Sequence, residues 1–139
     1  MISNPVLVAS CLVYLSNVFT CWMMGEITYA KWFGALVATS LIVHTNTNIY
    51  TNIIDKVSIA GVVGYGGYTY LQHMWGEDKD ALGVYLPLAT FIAVCIFYTV
   101  GYWCQSFCFD TEHRISTRYH ALLHGISSIG HHAILLLLI

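Results

Sequence analysis

Apolar residues gather into five runs along the chain, divided by short stretches where polar and charged residues concentrate. The first, 5–24, continues through Val-Leu-Val-Ala-Ser-Cys-Leu-Val-Tyr-Leu and has Trp22 near its far end, where an aromatic ring can anchor a helix at a membrane interface. At 1.5 Å of rise per residue, about 20 residues cross a hydrocarbon core of ~30 Å. The second run, 29–45, carries Lys31 and Trp32 at its entry and Ser40 and His44 near its exit. Asn46 to Asn52 is polar and predicts a loop. The third run, 53–71, has Asp55 and Lys56 in its first turn, where the helix dipole favours an acid. Its Gly61-Val62-Val63-Gly64-Tyr65-Gly66-Gly67 lacks the strand–turn–helix setting of a phosphate loop and predicts close helix packing. Gln72 to Asp80, with Glu77, Asp78 and Lys79, predicts a solvated turn. The fourth run, 81–104, tolerates Pro87 in its first half, and the fifth covers 118–139 after the polar segment 105–117.

This pattern predicts an all-α integral membrane protein with five transmembrane helices in one domain, 1–139. Composition agrees: 58% of residues are hydrophobic and 9% charged, against roughly 25% charged in an ordinary soluble domain. A net charge of −2 offers no basic arm, so nucleic acid is not an expected partner. The N-terminus lacks the basic segment of a secretory signal, and the first run is expected to be kept as a span. The five cysteines follow no disulfide-framework spacing, and Cys11, Cys21 and Cys95 read as small buried hydrophobes.

The last run changes the picture, because four of its residues are histidines. Imidazole is costly in hydrocarbon, and intramembrane histidines usually face a protein interior or a watered cavity. His120 and His124 are four apart, so their rings share one helix face. Seven histidines in 139 residues produce such a pair by chance about one time in three, so the pair needs partners to mean anything. Parity supplies them. With five spans, the exit of the second, the entry of the third and the entry of the fifth lie on the same side of the membrane. Ser40, His44, Asp55, His120 and His124 are therefore expected at one level, with His73 at the opposite end and His131 and His132 two to three turns deeper.

Three imidazoles with an open fourth position make a catalytic zinc site, and zinc lowers the pKa of a bound water to about 7. His44, His120 and His124 would be the ligands. Asp55 is placed to act as the base toward that water, and Ser40, one turn before His44, could donate to an oxyanion. Taken singly, each has a plainer reading: an interfacial histidine, a helix-end acid paired with water or Lys56, a packing hydroxyl. Cys104, Cys108, Asp110 and His113 form a competing ligand set that lacks a second Cys/His pair.

In order, Ser40-Leu41-Ile42-Val43-His44, Asp55 and His120-Ala121-Leu122-Leu123-His124 read S-x-x-x-H, then D, then H-x-x-x-H. This resembles the alkaline ceramidase family, within a superfamily of intramembrane metal hydrolases that includes the adiponectin and progestin receptors. The resemblance covers roughly the second, third and fifth runs. It implies that His44, His120 and His124 hold zinc, that Asp55 contacts the zinc-bound water, and that Ser40 assists at the reacting carbonyl. It further implies hydrolysis of a lipid amide such as ceramide to a sphingoid base and a fatty acid. The expected setting is a multi-pass membrane location, an endomembrane such as endoplasmic reticulum or Golgi if the chain is eukaryotic or viral in a eukaryotic host. The chain departs from the family in having five runs where the family has seven spans. Losing two keeps parity but removes two walls of the substrate chamber, which a dimer could complete. The acidic N-terminal cluster that binds calcium in animal alkaline ceramidases has no counterpart in Met1 to Pro5. Readings from other classes are a receptor-like or scaffold protein with the metal as a structural clamp, and a haem-binding bundle using two histidines.

Overall fold

A computed structural model describes residues 4–76 and 79–139. Met1 to Ser3, and Glu77 and Asp78 of the expected solvated turn, lie outside the described residues. The chain is all-helical: α1 Pro5–Cys11, α2 Tyr14–Met23, α3 Ile27–Thr45, α4 Ile49–His73, α5 Ala81–Cys104 and α6 His113–Leu135, with 3₁₀ turns at Phe107–Phe109 and Leu136–Leu138. Among the described residues, three segments are long and apolar enough to cross a membrane: Pro5–Met23, Ala81–Phe109 and His113–Leu138. α3 and α4 have the length but carry more polar residues, several of which point inward, such as Ser40, Asp55 and Thr69.

The five expected runs are present as helices, with three differences. The first run is two helices, not one. The Ser10 hydroxyl bonds back to the Leu7 carbonyl at 2.9 Å, and the Cys11 thiol to the Val8 carbonyl at 3.0 Å. The next backbone donors reach carbonyls three residues back: Leu12 to Ala9, Val13 to Ser10 and Leu15 to Leu12. Side chains that compete for carbonyls in this way commonly disturb a helix. The loop expected at Asn46–Asn52 is shorter. Asn48 caps α4 through a reciprocal box with Thr51, so the helix starts at Ile49. Likewise the polar 105–117 segment is partly helical. A left-handed Gln105 (φ 51°) ends α5, and α6 begins at His113.

α3 is the central element. It packs on α2 and α4, whereas α6 packs chiefly on α5 and α1. Tyr29 and Phe33 of α3 are fully buried, with rings 5.0 Å apart, and Tyr14 of α2 stands 5.9 Å from Phe33. α5 is the opposite case. Only 11% of its most apolar window is buried, and Leu88, Phe91, Ile92 and Ile96 face outward. An uncovered apolar face of this extent suits a hydrocarbon surrounding. It also overturns one expectation: Cys95 lies on this exposed face, while Cys11 and Cys21 are fully buried.

The glycines of α4 divide. A Cβ on Gly61 would strike the Trp32 ring, and one on Gly66 would meet Nδ1 of His131 at 2.8 Å. Gly64 and Gly67 face open space. The close approaches expected for this stretch thus rest on Gly61 and Gly66.

Candidate metal centre

Near the C-terminal end of α3 and the first half of α6, three histidines converge. One ligand nitrogen each from His44, His120 and His124 lies within 4.8 Å of the others. Ring centroids are 5.2 Å apart for His44 and His120, 5.7 Å for His44 and His124, and 4.9 Å for His120 and His124. The i,i+4 spacing puts the two α6 rings on one face, and His44 meets them from α3. A tetrahedral zinc with Zn–N of about 2.0–2.1 Å separates its nitrogens by about 3.3 Å, so the rings need to draw in by about 1.5 Å at most. That is within the reach of side-chain torsions. Chemically the donor set is all imidazole nitrogen, which suits zinc among other transition metals.

One turn before His44, Ser40 is buried and donates its hydroxyl proton to Oδ1 of Asp55 at 2.7 Å. Thr39 Oγ1 lies 3.2 Å from the same oxygen. Both contacts fall on Oδ1, leaving Oδ2 with no side-chain partner among the described residues. Asp55 is itself buried, and because α4 starts at Ile49 it sits beyond the first turn. Its partner is also not Lys56, whose ammonium instead donates to the Tyr98 hydroxyl at 3.1 Å and lies 5.5 Å over that ring. Of the plain reading of Asp55, the place in the first turn and the pairing with Lys56 do not hold. Ser40 differs from expectation in detail: its single proton is engaged by the carboxylate, so here it orients Asp55 and is not a free donor.

A residue absent from the sequence reading completes the surroundings. Ser10 of α1 lies 2.8 Å from Nδ1 of His124. Nothing in the first run singles it out, since the contact joins positions 114 apart. Neither His44 nor His120 has a side-chain hydrogen bond among the described residues.

The remaining histidines stand elsewhere. His131 pairs through Nδ1 with the Tyr29 hydroxyl, and His132 Nδ1 lies 2.8 Å from the Ser128 carbonyl and 2.9 Å from the Asn17 amide nitrogen. His73 bonds the Thr69 carbonyl at 2.9 Å, and His113 lies 3.3 Å from the Asn4 amide. The competing Cys104/Cys108/Asp110/His113 set does not assemble: among the described residues, the histidine trio is the one such group with converging ligand atoms. Cys104 is exposed.

Beyond the trio an apolar cleft of about 350 Å³ lies between α4 and α5 with α6 as its floor. Val63 and Leu71, Leu88 and Phe91, and Ser127 and His131 line it. Ser127 is one turn past His124 along α6, and none of the three histidines lines the cleft.

The fold and site together define an all-α protein with, among the described residues, three segments long and apolar enough to cross a membrane, and a cluster of three histidines, His124 buried and His44 and His120 half-buried, beside a serine–aspartate pair. No family model matches the chain, and no curated protein or solved structure matches it.

Proposed function

We propose that the chain is a five-span intramembrane zinc hydrolase acting on a lipid amide of the ceramide type, a shortened form of the seven-span ceramidase bundle. The observation that carries this reading is the convergence of His44, His120 and His124 from two helices distant in sequence. The serine–aspartate pair lies one turn from His44.

Zinc held by three imidazoles supplies, when bound, a Lewis acid and a water acidified to a pKa of about 7. The rest of the chemistry falls to the chain. Oδ2 of Asp55 has no side-chain partner and would take a proton from the attacking water, then pass it to the leaving nitrogen. Ser40 holds the other carboxylate oxygen and fixes the direction in which Asp55 works. Water adds across the amide C–N bond, giving a carboxylic acid and an amine. The cleft lined by Ser127, one turn past His124, is apolar and would take an alkyl chain, with the amide held toward the histidines.

The structural-clamp reading is supported by the same trio and by the position of its ligands on helices from two sides of the bundle. Purified protein in detergent, with zinc content measured and then incubated with N-acyl sphingoid bases, separates the two. Stoichiometric zinc with release of fatty acid is the expected result. Zinc-replete protein inert on a panel of N-acyl lipids and esters would leave only the clamp, and visible-region absorption from a bound porphyrin would replace both with haem binding.

A further inference from the structure

The N-terminal helices meet α6 along a seam of polar contacts. The Asn4 amide donates to the Thr117 hydroxyl at 2.8 Å. The Asn17 amide donates to the Ser128 carbonyl at 3.1 Å and its oxygen accepts from the Ser128 hydroxyl at 2.5 Å. Between these rungs stands Ser10 against Nδ1 of His124. The outer rungs end on a hydroxyl and a backbone group. Only the middle one ends on a ring of the histidine trio.

Proton accounting gives that contact a direction. A serine hydroxyl has one proton. The Leu7 carbonyl, 2.9 Å from Ser10 Oγ, can only accept, so it receives that proton. Ser10 Oγ must then accept from Nδ1–H of His124. A neutral imidazole carries one N–H, so its lone pair lies on Nε2.

We propose that Ser10 is a positioning residue of the metal centre, fixing the tautomer and ring orientation of His124 through the relay His124 Nδ1–H to Ser10 Oγ–H to the Leu7 carbonyl. The inference rests on the metal reading of the trio. Metal-binding histidines ordinarily donate their second ring N–H to such a partner, and losing that partner typically costs 10- to 100-fold in metal affinity. The relay also gives the first helix a role besides that of a wall. Ser10 lies in the last turn of α1, directly before the tightened turn at Leu12.

The test is zinc affinity, measured by chelator competition on detergent-purified protein. Ser10→Ala should bind zinc about 10- to 100-fold more weakly, and Ser10→Thr, which keeps the hydroxyl, should restore most of the affinity. Thr117→Val breaks a neighbouring rung without touching the trio and should bind zinc as the wild type does. Nitrogen-15 spectra of the histidine rings give a second readout. His124 should be protonated at Nδ1 in the zinc-free wild type and should lose that preference in Ser10→Ala. Equal affinity in Ser10→Ala and wild type, or equal weakening in Ser10→Ala and Thr117→Val, would overturn the positioning role. Should Ser10→Ala fail to fold, Ser10→Cys, a weaker acceptor, should fall between Ala and Thr, and wild-type affinity there would overturn it equally. A wild type that takes up no zinc would instead overturn the metal reading of the trio, and the role of Ser10 with it.

Discussion

Zinc should raise the melting temperature of the protein through a cross-link between α3 and α6. His44 is on α3, which packs on α2 and α4, and His120 and His124 are on α6, which packs chiefly on α5 and α1. A shared ion would tie two groups of helices that otherwise meet mainly through other elements. A ligand that binds only the folded state stabilises it by about 2.7 kcal/mol at a free concentration 100 times its Kd. Unfolding entropy near 2.1 cal/mol/K per residue gives about 0.29 kcal/mol/K for a chain of 139 residues. The expected rise is therefore about 9 °C. The assay is thermal unfolding followed by circular dichroism in detergent, starting from chelator-stripped protein and adding zinc. His44→Ala should abolish the rise, because it leaves both remaining ligands on one helix and removes the cross-link. Thr117→Val should keep it. An unchanged melting temperature at saturating zinc would refute the reasoning, as would an equal rise in His44→Ala.

Two further outcomes follow from the same geometry. Asp55→Asn keeps an acceptor for Ser40 and should retain zinc while losing 10²- to 10⁴-fold in lipid-amide hydrolysis, read as fatty-acid release by metal-replete protein; loss of zinc in this variant would make Asp55 a ligand instead. Gly66→Ala should destabilise by about 1–3 kcal/mol because its Cβ meets Tyr29 and His131, whereas Gly64→Ala, facing open space, should be stabilising by up to about 1 kcal/mol, and melting temperatures that move together would contradict this packing.

The helical segments were legible because apolar runs of near-constant length leave little choice of element. The convergence of the three histidines was legible through parity together with the i,i+4 pair at His120 and His124, since an odd or even number of helix reversals decides which ends can meet. What remained hidden depended on contacts between distant positions. The plain reading of Asp55 beside Lys56 rested on a helix start that Asn48 and Thr51 move upstream, and a reciprocal cap is easily taken for a polar loop. The engagement of the Ser40 proton by Asp55 requires knowing how α3 faces α4. Ser10 is one small hydroxyl in an apolar run, and no spacing links it to a ring 114 positions away. Cys95 was misread because an apolar neighbourhood in sequence does not distinguish a buried helix face from an exposed one.

The cleft between α4 and α5 bears on how occupancy should be expressed. Its walls are almost wholly apolar, and α5, its outer wall, is the helix least covered by protein. In the membrane setting of the proposed function, a molecule reaching it sideways would come from the surrounding hydrocarbon and not from water. The relevant concentration is then a mole fraction in the bilayer or micelle, a two-dimensional quantity. Adding empty detergent at constant total substrate would lower occupancy by surface dilution, and a constant quoted in bulk molar units would change with every change of detergent. For the proposed intramembrane hydrolase, lipid and detergent would thus be part of the solvent in which binding equilibria are defined.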